Sequence, residues 1–118
     1  MMFSQAILDH FKSPHNIGGM LDATAVASVT NPVCGDVLKL SVRMAGGRIE
    51  TVRFKTQGCV VAIAASSVVT DLLTGKTPEQ AREITPQQIS EQLGGLPPAT
   101  FHAAQLCCDA IALLLKSL

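Results

Sequence analysis

Alternation is clearest between positions 38 and 44, where Leu38, Leu40, Val42 and Met44 interleave with Lys39, Ser41 and Arg43. This period of two predicts a strand with one buried face and one wet face. Gly46-Gly47 reads as a two-residue hairpin turn into a second run, Arg48 to Thr56. Val52 and Phe54 share a face there while Ile49 is out of phase, which calls for a bulge or an early register change. Small and β-branched residues from Ala23 to Val29 predict an earlier strand. Three antiparallel strands with one solvated face need a helical cover on the other.

Helical signals surround these strands. Ser4 caps a predicted helix over Gln5 to Lys12, with Ile7, Leu8 and Phe11 on one face and Ser13-Pro14 as its stop. After Gly58-Cys59, the run Val60 to Leu73 is too long for a typical strand and rich in Ala and Ser. It predicts a closely packed helix ended by Gly75. Thr77-Pro78-Glu79-Gln80 and Thr85-Pro86-Gln87-Gln88 each carry the capping-box pattern with proline at the first helical position. Gly94-Gly95-Leu96-Pro97-Pro98 breaks the chain before a long terminal helix, Ala99 to Lys116, whose many apolar positions demand cover.

Composition narrows the function classes. The 118 residues suffice for one domain with a core, 1–118, and are too few to expect two. Net charge is zero with no basic run, and Trp and Tyr are absent, so neither the charge nor the stacking platform of a nucleic-acid binder is present. No secretory signal pattern opens the chain, and its apolar stretches are interrupted before the length of a membrane span. A cytoplasmic protein is expected, and there four cysteines point to metal or catalysis more than to disulfides.

Asn31-Pro32-Val33-Cys34-Gly35-Asp36 opens the clearest strand and can aim a thiol and a carboxylate at one target. Cys59 lies between a glycine and a helix start, where the partial positive charge stabilises a thiolate. His102 falls near the start of the terminal helix. Cys107 lies about 40° around that helix from position 103 and roughly 6 Å further along, so the two face the same way. Cys108 points elsewhere and reads as packing. His10 and His15 have no spacing that links them to the cysteines and are assigned structural roles. No compact CxxC is present. The donor types suit tetrahedral zinc or an iron–sulfur cluster alike. A Cys–His thiol hydrolase is disfavoured, because no oxyanion-hole motif is evident.

The chain resembles the NifU/IscU-type iron–sulfur cluster assembly scaffolds over nearly its whole length. The resemblance rests on Leu8 to Gly18, Asn31 to Leu40, Phe54 to Cys59 with the Ala-Ser-rich helix after it, Leu96-Pro97-Pro98, and Asp109-Ala110-Ile111. It implies an α+β fold, a small three-stranded antiparallel sheet packed against several helices in a single domain. It implies that Cys34 and Cys59 ligate a cluster and accept sulfur, with Asp36 as a labile carboxylate ligand and His102 as the fourth position. The implied role is a carrier, not an enzyme: a cysteine desulfurase delivers sulfur, ferrous iron enters, and a [2Fe–2S] unit passes to acceptor proteins. A monomer or weak homo-oligomer is expected.

Two departures stand out. The family's third cysteine follows the position matched by His102, and here that residue is Ala103, which makes Cys107 the candidate substitute ligand. The segment after Leu96-Pro97-Pro98 runs Ala99-Thr100 where the family has valine and lysine, so recognition by an Hsp70-type chaperone does not carry over. Without the third thiol, a zinc-binding sulfur relay or structural protein of the same fold is the alternative, since Cys34, Asp36, Cys59 and His102 fill a tetrahedron unaided.

Overall fold

The computed structural model describes residues 3–118. Helix α1 (Gln5–Lys12) starts where the Ser4 hydroxyl accepts the Ile7 N–H, and that hydroxyl also donates to the Leu93 carbonyl. One side chain thus caps the first helix and ties it to a segment 89 residues away.

Strands β1 (Ala25–Thr30), β2 (Val37–Ala45) and β3 (Arg48–Gln57) form an antiparallel sheet in the order β1-β2-β3. Gly46 and Gly47 turn the hairpin with φ of +59° and +77°, the left-handed pair that a two-residue turn requires. The expected bulge is present: Arg43 pairs with Thr51 and Met44 with Ile49, leaving Glu50 as the extra residue. The added residue returns Ile49 to the buried face beside Val52 and Phe54. One position departs from simple alternation. Ser41 was expected on the wet face but is buried, because it is a small side chain on the central strand between the longer Val26 and Arg53.

Helix α2 (Val60–Leu73) packs against β3 and α1, while α5 (His102–Leu115) lies across β1 and β2. Ala62, Ala64, Ala65, Ser66, Ser67 and Val69 of α2 are all buried, so the helix is covered nearly all round and its small residues permit close approach. Its hydroxyls are satisfied internally: Ser66 donates to the Ala62 carbonyl and Thr70 to the Ser67 carbonyl, each at 2.7 Å. Short helices α3 (Pro78–Arg82) and α4 (Pro86–Gln92) both begin with complete capping boxes, on Thr77 and Thr85.

The terminal helix begins later than its sequence pattern predicts. Pro98–Thr100 forms a single 3-10 turn and α5 proper starts at His102. Pro98 to Leu115 has a mean hydropathy of 1.3 over 18 residues, enough by length and composition for a membrane span, which corrects the expectation that no apolar stretch reaches that length. Within the fold this apolarity is used for packing: Ala104, Leu106, Ala110, Ile111 and Leu114 are buried in the core.

Candidate metal centre

The β1–β2 loop is closed on itself by Asn31. Its N–H donates to the Asp36 carbonyl and its carbonyl accepts from the Gly35 N–H, both at 2.8 Å. Its side-chain oxygen accepts from the N–H groups of Val33 and Cys34, at 2.8 and 3.4 Å. This is the local turn that asparagine favours. Gly35 takes φ +77°, which a Cβ would strain, and the chain reverses there between the two functional side chains. Cys34 is left exposed, and Asp36 is turned inward at 7% exposure.

Cys59 arrives from the end of β3. Its sulfur is the N-cap of α2 and accepts the Ala62 N–H at 3.4 Å. A sulfur that takes helix N–H groups is held where negative charge is favoured. It is exposed and lies 3.8 Å from Asp36 Oδ2. His102 is the first residue of α5. Because α5 packs across β1 and β2, its first turn comes to rest over their connecting loop. Donor atoms of Cys34, Asp36 and His102 all lie within 4.8 Å of one another. A cleft of about 270 Å³, lined by Asn31, Val33, Cys34, Ala99 and His102, opens beside them.

Four residues separated by up to 68 positions thus meet through Asp36: two thiols, a carboxylate and an imidazole. Such donors hold zinc or iron, and the exposed sulfurs leave the site open to exchange.

Cys107 is placed differently. It does share a face with Ala103, as the helical spacing predicts, but that face is turned to the core: both residues are 1% exposed. Burial first, and then the neighbouring Cys108, raise the Cys107 thiol well beyond the ordinary range. Cys108 is half-buried, its thiol donates to the Ile84 carbonyl at 3.7 Å, and it is pushed up to about 11, by burial and then by the charge of Asp109. Neither sulfur belongs to the converging set.

Gly58 is a contributor the sequence pattern marks only as a helix-preceding break. A Cβ at this position would stand 2.7 Å from Asp36 Cγ and 2.9 Å from Oδ1, so the carboxylate rests against bare glycine backbone. Asn31 is another: its role in shaping the loop is local, and the Asn-Pro pair ahead of a Cys-Gly-Asp turn is its visible signal. His10 and His15, read as structural, lie with Asp71 at the far end of α2.

A three-stranded antiparallel sheet with helices on one face, presenting two thiols, a carboxylate and an imidazole at one open end, defines a small α+β protein with a candidate metal centre. The comparisons with known proteins carry this further. The family model for the NifU-like N terminal domain matches residues 2–117, and the chain belongs to that family. It is similar to the iron-sulfur cluster assembly scaffold protein IscU 1 of Archaeoglobus fulgidus, with 44% identity over 93% of this chain and 72% of the relative. The IscU scaffold of Azotobacter vinelandii is 41% identical over 94% of this chain and 89% of its own. Among solved structures, a NifU-like N-terminal protein from Brucella abortus superposes with a TM-score of 0.75 over 96% of this chain and 91% of its own, at 21% identity. A scaffold candidate for the SUF system from Fervidobacterium islandicum gives 0.79, covering 97% of this chain and 96% of that one at 22% identity. These structural likenesses bear on the fold.

Proposed function

We propose that this chain is an iron–sulfur cluster assembly scaffold that gathers iron and sulfur on Cys34, Asp36, Cys59 and His102 and passes a [2Fe–2S] cluster to acceptor proteins. The observation that carries the reading is the convergence of Cys34, Asp36 and His102 at an open end of the fold, with Cys59 joined to them through Asp36. A [2Fe–2S] unit takes four protein ligands, and nitrogen or oxygen in place of thiolate is compatible with it. The relatives named as assembly scaffolds support the same reading.

The exposed thiols suit the sulfur-accepting step. A thiolate on Cys34 or Cys59 attacks the terminal sulfur of a persulfide carried by a cysteine desulfurase. The new S–S bond forms on this chain, the old one breaks, and the donor cysteine leaves as thiolate. Release of that sulfur as sulfide takes two electrons from a thiol or electron-carrier reductant. Asp36, a harder and weaker ligand for iron than a thiolate, keeps the finished cluster exchangeable. The chain works as a carrier and not as an enzyme, in a cytoplasmic setting that suits four free cysteines. Zinc fits the same donors at rest.

Anaerobic reconstitution with ferric iron and sulfide tests this. A visible [2Fe–2S] absorption is expected that Cys34→Ala and Cys59→Ala each abolish. Its persistence in both variants, or stoichiometric zinc that iron and sulfide fail to displace, overturns the scaffold reading.

A further inference from the structure

About 18 Å along α2 from Cys59, a second group of metal-binding side chains converges. We propose that His10, His15 and Asp71 form a second site, for a divalent transition-metal ion of the zinc class. Their donor atoms all lie within 4.8 Å of one another. The three residues come from α1, from the segment after it, and from α2.

The surroundings hold these side chains in place. Ser67 Oγ lies 2.7 Å from His10 Nδ1 and accepts the His15 N–H at 2.8 Å, so one hydroxyl positions both histidines. Asn16 donates to Thr70 Oγ1 at 3.0 Å and to Asp71 Oδ1 at 3.3 Å, orienting the carboxylate. Among the described residues Asn16 alone has a positive φ without being glycine, at +61°. That backbone is anchored to β3, with its carbonyl accepting the Phe54 N–H at 3.0 Å. Such a conformation persists when its surroundings over-determine it. Outer partners that aim the ligands are a feature of metal sites.

The two imidazole rings lie 4.6 Å apart between centroids. Two protonated rings would repel at that distance, whereas two neutral rings can share a cation. Burial, and then His15, lower the His10 pKa, which favours the neutral ligand form. His15 Nδ1 and Asp71 Oδ2 lie 2.6 Å apart, a hydrogen-bonded pair. A zinc-class ion has bonds of roughly 2.0–2.2 Å, so tetrahedral donors stand roughly 3.3–3.5 Å apart. Binding replaces that hydrogen bond and opens the pair from 2.6 Å towards this spacing. The side chains of His15 and Asp71 are 53% and 45% exposed, which leaves them room to adjust and water access to the fourth position. Two imidazoles and one carboxylate select zinc, cobalt or nickel over magnesium or calcium.

This site is independent of the assembly centre, and the test separates them. Cys34→Ala, Cys59→Ala and His102→Ala together silence the first centre. Titration of that protein with Zn²⁺ in a calorimeter should show one remaining equivalent, weakened at least tenfold by adding His15→Ala or Asp71→Asn. In the unaltered protein, the imidazole proton resonances of His10 and His15 should move with Zn²⁺ and stay fixed with Mg²⁺. Absence of zinc uptake in the silenced protein, uptake that His15→Ala leaves undiminished, or histidine resonances unmoved at two equivalents of zinc each overturn the proposal.

Discussion

The carboxylate of Asp36 rests on the backbone of Gly58, so closely that a Cβ there would stand 2.7 Å from Asp36 Cγ. The contact joins the loop that carries Cys34 to the residue preceding Cys59. It fixes a side chain that lies near Cys34, Cys59 and His102 alike. Gly58 does not need glycine for its backbone angles, since it is not among the residues with positive φ.

Gly58→Ala should therefore fold but displace Asp36. Loss of an outer partner to a metal ligand costs about 10–100-fold in affinity. Iron or zinc titration of the variant should show a loss in that range with its circular dichroism unchanged. Unaltered affinity would mean that Asp36 is not a ligand.

The four cysteines should separate sharply by reactivity. Cys34 and Cys59 are exposed, whereas Cys108 is pushed up to about 11 from 9.0, leaving it about 100-fold less thiolate below pH 9. Iodoacetamide at pH 8, read by mass spectrometry, should label Cys34 and Cys59 first, Cys108 slowly, and Cys107 only on unfolding. The raised thiol pKa values also set a sign: the unfolded thiols ionise near 9.0 and the folded ones higher, so stability falls as pH rises above 9.

Cys107→Ala should cost about 1 kcal/mol of stability, as a small buried truncation does, and leave the reconstituted cluster intact. Denaturant unfolding and visible absorption measure the two effects separately. Loss of the absorption in Cys107→Ala, but not in Cys108→Ala, would show that α5 shifts to deliver that sulfur to the centre.

Acid should destabilise the fold through His10. Its folded pKa lies below the usual 6.5, because of burial first and His15 second, against the opposing charges of Asp71 and Asp9. The unfolded chain then binds the proton more readily, so the contribution is present above 6.5 and lost as pH falls below it. Thermal melts between pH 7.5 and 5 in chelator-treated buffer should show this decline, and His10→Gln should flatten it.

Thr85→Ala removes one half of a complete capping box and should cost about 1 kcal/mol. Urea midpoints measure it, and a loss confined to α4 would appear as faster amide exchange there.

Much of this architecture is written in local chemistry. Ser4, Thr77 and Thr85 mark helix starts because a side-chain oxygen can satisfy only nearby N–H groups. Gly46-Gly47 marks the hairpin because few other residues accept both left-handed angles. Even the Glu50 bulge is foreshadowed, since Ile49 breaks a period that Val52 and Phe54 keep. Cys34, Asp36 and Cys59 stand out for the same reason: the turn and the helix cap that position them are made by residues next to them.

Where α5 and α2 come to rest was decided at long range. Spacing relates Cys107 to Ala103 on one helix face, but not that face to the rest of the molecule. Packing across β1 and β2 turns it inward. Packing likewise sets His102 over the Cys34 loop, and it brings Asp71 to a histidine 56 positions earlier in the chain. Periodicity specifies rotation within an element. Only the burial of one element against another supplies the free energy that fixes its orientation, and with it the identity of the side chains that meet.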